Sequence, residues 1–109
     1  MFELFKSDKN DKFYFNLKAN NGQVILASQA YESKAGASNG INSVKENCAE
    51  DGKFERKTAS NGKFHFNLKS GNGQIVGTSQ MYASEAGMEN GIESVKKHAP
   101  EADIKDSTV

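Results

Sequence analysis

Tryptophan is absent from this 109-residue chain, proline and cysteine occur once each, and the formal charges cancel, with 14 basic against 14 acidic residues. Each shortage excludes something. A single cysteine, Cys48, cannot form an internal disulfide, so the fold must hold without covalent staples, as expected for a reducing compartment. A zero net charge argues against a partner recognised by bulk charge, whether duplex nucleic acid or an anionic membrane. No apolar run reaches the length of a signal segment or a transmembrane helix, and Met1 leads at once into Phe2-Glu3-Leu4-Phe5-Lys6, which reads as a strand. A cytoplasmic location without membrane attachment is the expectation.

Apolar residues are also scarce. Leu, Ile, Val and Phe together make up 21 of the 109 residues. That fraction signals disorder in a strongly charged chain, but not in a neutral one. It does mean a thin core, most simply one sheet covered on one side, and modest stability. The length suits a single domain.

What the chain has in abundance is repetition. Lys12 to Tyr31 reads KFYFNLKANNGQVILASQAY, and Lys63 to Tyr82 reads KFHFNLKSGNGQIVGTSQMY. The match continues from Ser33, Gly36, Asn39-Gly40-Ile41 and Ser43-Val44-Lys45 to Ser84, Gly87, Asn90-Gly91-Ile92 and Ser94-Val95-Lys96. Agreement this close means two copies of one supersecondary unit, about 1–52 and 53–109.

Within each copy, Phe13, Phe15 and Leu17 alternate with Tyr14, Asn16 and Lys18, and Phe64, Phe66 and Leu68 alternate with His65, Asn67 and Lys69. Period-two alternation predicts half-buried strands with the phenylalanines inward. Asn21-Gly22 and Asn72-Gly73 predict type I′ hairpin turns into partner strands over Gln23 to Gln29 and Gln74 to Gln80. In those partners Ile25 and Val76 are expected to face the core, while Val24 to Leu26 leaves the alternation ambiguous.

Ser33 and Ser84 are helix N-caps, followed by apolar stripes Ala37, Ile41, Val44, Cys48 and Met88, Ile92, Val95, Ala99, with Pro100 as the second stop. Gly40 and Gly91 fall mid-helix, where Gly costs about 1 kcal/mol relative to Ala, so close approach of helix to sheet is expected there. Tyr31 and Tyr82 are expected to wedge the strand-to-helix corners, with Gln29 and Gln80 bonding backbone beside them. Opening strands Phe2 to Lys6 and Phe54 to Thr58 and a last one, Ala102 to Asp106, complete a β-β-β-α-β-β-β-α-β order. One such unit would leave long unpaired edges, so the two are expected to form an α+β fold: one antiparallel sheet, both helices on the same face, a pseudo-dimer within a monomer.

The FNLK, NGQ and SQxY words, the NGI and SVK of the small-residue helices, and the passage KTASNGKFHFNLK resemble the YegP-like family of small bacterial proteins of unknown function. The resemblance covers nearly the whole chain. It implies tandem β3-α-β units whose final strands are exchanged: Phe54 to Thr58 would follow the first helix yet pair with the second unit, and Ala102 to Asp106 would pair back on the first. It carries no activity and no catalytic residues.

The residues themselves point away from catalysis, and no catalytic residue, cofactor or metal is expected. Cys48 lies on an apolar stripe opposite Ala99 in the repeat, which is a packing position rather than a nucleophile's. His65 and His98 match Tyr14 and Asn47 and have no ligands at metal-binding spacing. Gly71-Asn72-Gly73 joins two strands instead of opening a helix, so it is no phosphate loop, and Asp8 to Asp11 lacks the glycine and distal glutamate of a calcium loop. The candidate binding surface is the sheet face away from the helices, carrying Tyr14, Asn16 and Lys18 beside His65, Asn67 and Lys69, flanked by Lys12 and Lys63. It would suit a weakly bound macromolecular or small ligand, protein included; the seam between units, with paired corners at Tyr31 and Tyr82, is a second place for one. The alternative is single-stranded nucleic acid, stacking on Tyr14 and His65 with phosphates on the lysines.

Overall fold

The computed structural model of the chain describes residues 1–108; Val109, the last residue of the second expected unit, lies outside them. The elements run β1 (Phe2–Lys6), β2 (Phe13–Lys18), β3 (Val24–Ser28), α1 (Lys34–Asn47), β4 (Phe54–Thr58), β5 (Phe64–Lys69), β6 (Ile75–Thr78), α2 (Glu85–His98) and β7 (Ile104–Asp106). Short 3₁₀ turns at Asp51–Lys53 and Ala99–Glu101 follow the two helices. The strands form one seven-stranded sheet in the order β4-β5-β6-β3-β2-β1-β7. No helix is long and apolar enough to cross a membrane among the described residues.

The expected antiparallel sheet needs one correction: β7 pairs with β1 in parallel, while every other pairing is antiparallel. The repeat explains why. After α1 the chain enters β4, which runs antiparallel to β5; after α2 it enters β7, whose direction should likewise be antiparallel to β2. Beside β2, however, the seat is already taken by β1. The last strand therefore adds outside β1 and, keeping its direction, lies parallel to it. The exchange of post-helix strands between units is as the resemblance implied.

The hairpin turns also differ from expectation. Positive φ occurs at Gly22, Gly62 and Gly73 but not at the asparagines before them. In each loop the glycine N–H closes an i to i+3 bond, on Ala19, Ala59 and Ser70 respectively. These are three-residue connections, a turn followed by one left-handed residue, rather than two-residue type I′ turns. Asparagine keeps a different job there: Oδ1 of Asn21, Asn61 and Asn72 accepts the N–H two residues on, at 3.0, 3.0 and 3.2 Å. The longer β1–β2 loop repeats the device with Asn10 ahead of Asp11, whose φ is 57°.

A register shift resolves the ambiguity at Val24 to Leu26. Leu17 pairs with Leu26 but Lys18 pairs with Val24, so Ile25 is an extra residue in a bulge. Ile25 and Leu26 both turn inward, and the same shift at Leu68/Lys69 places Val76 and Gly77 inward. Leu26 and Gly77 break the repeat for a steric reason. A Cβ at Gly77 would stand 2.7 Å from Leu26 Cγ, so this seam position holds one large side chain, not two.

Both helices cover the same face. Ala37, Ile41, Val44 and Cys48 join Met88, Ile92, Val95 and Ala99 in a single buried cluster with Phe2, Phe15, Leu17, Phe54, Phe66 and Leu68. Phe13 and Phe64, at strand ends, are only partly buried. Helix α1 rests on β1 and β2 and also reaches β5 and β6, while α2 rests on β5 and reaches β3. Ser33 and Ser84 cap them, each accepting an N–H, from Gly36 and Gly87, at 3.0 Å.

The mid-helix glycines admit tyrosine. Tyr31 stacks on Phe15 at 6.2 Å and Tyr82 on Phe66 at 6.5 Å, and a Cβ at Gly40 or Gly91 would fall 2.4 or 2.3 Å from the tyrosine Oη. The corners are thus filled by rings. The backbone bonds assigned to Gln29 and Gln80 are made instead by Ser28 and Ser79, whose hydroxyls accept from Phe15 and Phe66 N–H and donate to the glutamine carbonyls.

Gly40→Ala is expected to destabilise the fold by roughly 1–3 kcal/mol in urea unfolding, although Ala is the better helix former, because the methyl meets Tyr31 and Phe15. In a Tyr31→Ala background, where only the Phe15 contact remains and the ring has room to shift, the same change should cost clearly less; additive losses would contradict the steric account. At the seam, Gly77→Leu should be destabilising by a similar amount, and Leu26→Gly added to it should recover stability, whereas two independent losses would rule out the shared space.

Candidate functional site

The alternation that sends Phe15 and Leu17 into the core sends Tyr14, Asn16 and Lys18 to the opposite face, and the same holds for His65, Asn67 and Lys69. All six expected residues therefore share the uncovered face, β2 and β5 being separated by the β3–β6 seam. Their neighbours on β1 and β4 complete it. Phe2 and Leu4 are buried, which turns Glu3 and Phe5 outward; Phe54 is buried, which turns Glu55 and Lys57 outward.

Those neighbours change the chemistry of the surface. Lys18 Nζ lies 3.1 Å from Glu3, and Lys69 Nζ lies 3.0 Å from Glu55. The lysines within the two rows therefore already face carboxylates. Lys69 first, and then the Asn67 carboxamide, hold the Glu55 carboxyl below its usual range. Asn67 is itself 7 % exposed, donating to Glu55 at 3.2 Å and accepting from Thr78 at 2.8 Å, so it is a strut in the face and not a free contact. Asn16 has Ala27, without a hydroxyl, where Asn67 has Thr78, and its side chain forms no such bond among the described residues.

The rings differ between units as well. Tyr14 stacks on Phe5 at 5.8 Å and its hydroxyl accepts from Asn10 at 2.9 Å. His65 pairs in register with Lys57, and its Nδ1 is buried without a hydrogen-bond partner. Of the outlying lysines, Lys12 pairs with Glu32 and Lys63 is exposed. Sequence reasoning missed Glu3, Phe5, Glu55 and Lys57, although the same alternation in FELFK and FERKT would have put them on this face.

The other candidates lie elsewhere. Cys48 is fully buried, and burial pushes its thiol pKa up, the wrong direction for a nucleophile. His98 Nδ1 stays within its helix, 2.8 Å from the Ser94 carbonyl oxygen. No group of three or more His, Cys, Asp or Glu could hold a metal among the described residues. At the β4 end, Arg56 binds Glu89 at 2.5 Å and Asp51 at 3.0 Å, and Lys96 adds a second bond to Asp51. Arg56 depresses both carboxyls, with Lys96 as the second cause at Asp51.

This repeated architecture matches the family described as a domain of unknown function, DUF1508, once over residues 8–55 and again over residues 59–106. The chain belongs to that family. It is 57 % identical over 103 residues to the UPF0339 protein in the ptx operon 5′ region of Stutzerimonas stutzeri, covering 94 % of this chain and 92 % of the relative. It is 52 % identical over 107 residues to the UPF0339 protein YegP of Escherichia coli K12, covering 98 % and 96 %. The solution NMR structure of Escherichia coli yegP, a protein of unknown function, superimposes with a TM-score of 0.93 at 51 % identity, covering 98 % of this chain and 91 % of that one. A UPF0339 protein from Shewanella oneidensis gives 0.93 at 50 %, covering 98 % and 90 %.

The Glu55 shift has a definite sign. A carboxyl held below its unfolded value of about 4.3 contributes stability that is present above that pH and lost as pH falls through the lower folded value. An NMR titration should find Glu55 ionising below the ordinary glutamate range, and Lys69→Ala should move it upward. A midpoint at the ordinary value, unmoved by Lys69→Ala, would show that the Lys69 contact is not populated in solution.

Proposed function

We propose that the chain is a non-catalytic module, monomeric in solution, that binds a partner protein through the uncovered face of its sheet. The observation that carries this reading is the charge matching of that face: Lys18 with Glu3 on the β1–β2 side, which also holds the Phe5–Tyr14 ring pair, and Lys69 with Glu55 on the β4–β5 side. Aromatic rings are enriched in protein interfaces, and charges of both signs around them set register and orientation. Polyphosphate calls for unmatched cations, so the nucleic-acid reading is the weaker one on this surface. The separation of Cys48, His65 and His98, one in the core, one on the outer face and one bonded within α2, supports binding over catalysis. Since each helix already covers strands of both units, a second copy of the chain is not required to close the core.

The test is a photo-crosslinking residue at Asn16, with one at exposed Asn42 on α1 as control, in the full chain in its native host. The expected result is one protein partner captured at Asn16 and not at Asn42, whose purified form binds the chain and is released by Glu3→Lys/Glu55→Lys. Equal capture at both positions, or rebinding indifferent to the charge reversal, overturns the reading. So does short oligothymidylate binding that falls steeply with salt and disappears in Tyr14→Ala/His65→Ala, which would assign the face to nucleic acid instead.

A further inference from the structure

The two units differ in topology at their outer edges, where β1 carries an extra strand and β4 is bare. β7 lies along β1, with Phe2 N–H donating to the Asp103 carbonyl at 2.8 Å and Ser107 N–H donating to the Leu4 carbonyl at 2.7 Å. Its three residues are all exposed, so it contributes little burial; backbone bonds and one ion pair, Asp106 with Lys34, hold it in place. Lys34 and Thr108 keep the Asp106 carboxyl well below the usual carboxylate range. Lys34 is the first residue of α1. A cation there is the wrong sign for the helix dipole, so the ion pair with Asp106 is what favours it.

β4 holds the same place in the second unit that β1 holds in the first. Phe54 pairs with Leu68 as Phe2 pairs with Leu17, and Arg56 pairs with Phe66 as Leu4 pairs with Phe15. By that register the N–H and C=O of Arg56 point away from β5, as the Leu4 carbonyl points towards β7. Among the described residues no strand lies on that side. A cleft of about 270 Å³ runs between this edge and the start of α2, lined by Arg56, Lys57, Thr58, Phe64, Glu85 and Met88 together with Glu89. The residue at the first position of α2, equivalent to Lys34, is Glu85. Glu89 is taken by Arg56, whereas Glu85 has no ion-pair partner among the described residues.

We propose that the open edge of β4 accepts an extended peptide running parallel to it, as β7 runs along β1, with a Lys or Arg opposite Arg56 and facing Glu85. Backbone pairing supplies the affinity and the Glu85 carboxylate supplies the selectivity, as in strand addition at other sheet edges. The reversal from Lys34 to Glu85 also disfavours self-pairing: the β7 of a second copy would bring Asp106 against Glu85, like charge against like, while Arg56 opposite it is already bonded to Glu89 and Asp51. Each edge therefore selects its own strand, β1 the acidic tail of this chain and β4 a basic segment of another protein. This site is distinct from the outer face and does not depend on it.

The probe is a synthetic peptide of residues 102–108 carrying Asp106→Lys, compared with the unaltered peptide and titrated into the isotope-labelled full chain at low salt. The tethered β7 keeps its own seat through its high effective concentration, so the added peptide reports on β4. Expected are shifts of the amides from Phe54 to Thr58 and at the start of α2, with the altered peptide binding about three- to tenfold more tightly, the range for reversing one surface ion pair. Glu85→Lys, a change at an exposed position that keeps the Ser84 cap, should invert the preference. Absence of shifts in β4 with either peptide, or equal affinities in both proteins, overturns the proposal. A concentration-dependent dimer that perturbs β4 in the unaltered protein overturns it as well, because the edge would then belong to a second copy.

Discussion

The constraint on which this fold depends is that a three-stranded sheet beneath one helix cannot seal its own apolar face. Each copy of the repeat supplies about half the buried side chains, and each helix lies partly over strands of the other copy. Burial of apolar area is worth roughly 25 cal/mol per Å², so a chain this poor in Leu, Ile, Val and Phe gathers most of them in one cluster. Duplication meets that need by doubling the sheet under a common pair of helices. The tyrosine wedges follow from the same scarcity, since Tyr31 and Tyr82 fill corner volume that an aliphatic residue would otherwise occupy, and the helices yield Gly40 and Gly91 to make room.

A perfect duplicate would nonetheless clash with itself at two places, and there the copies diverge. At the seam, the two central strands meet back to back, and a leucine from each would claim the same space; Leu26 keeps it and Gly77 gives it up. At the rim, the chain has one more post-helix strand than it has vacant seats, because β1 stands where β7 would otherwise close the arrangement. The mixed sheet is the outcome of that surplus. It also leaves the opening strand of the first unit covered by β7 and that of the second, β4, bare, and β4 bears the charges Glu55, Arg56 and Lys57, which discourage indiscriminate edge pairing.

Most of this organisation was legible in the sequence because repetition and period-two alternation are local signals. The element order, the two N-caps, both helical stripes and the inward phenylalanines all come from such patterns. What escaped was set by relations between distant segments. The bulge at Ile25 is invisible until Leu17 is known to pair with Leu26, and the direction of β7 depends on which strand already occupies the place beside β2. The turn type at Asn21-Gly22 misled for a related reason: the dipeptide favours two left-handed residues, but the bulged register that follows is met with one. On the outer face, the rows of Tyr14, Asn16, Lys18 and His65, Asn67, Lys69 were readable from alternation, whereas their neutralisation by Glu3 and Glu55 required the strand order.

Divergence between copies is therefore informative in proportion to how little the fold demands it. Leu26 against Gly77 is explained by packing. Leu4 against Arg56, Lys34 against Glu85, Phe5 against Lys57 and Tyr14 against His65 stand outside that seam: Leu4 is buried in the core where Arg56 is exposed, and the other three pairs occupy equivalent half-buried or exposed positions. The first two of these flank the rims, and the last two lie side by side on the uncovered face. They leave one half of the outer surface with a ring pair and the other with a Lys57–His65 pair whose ring Nδ1 lacks a partner. Apart from the seam and the rims, the copies diverge chiefly where they meet solvent, so a single duplicated scaffold presents two different outer surfaces.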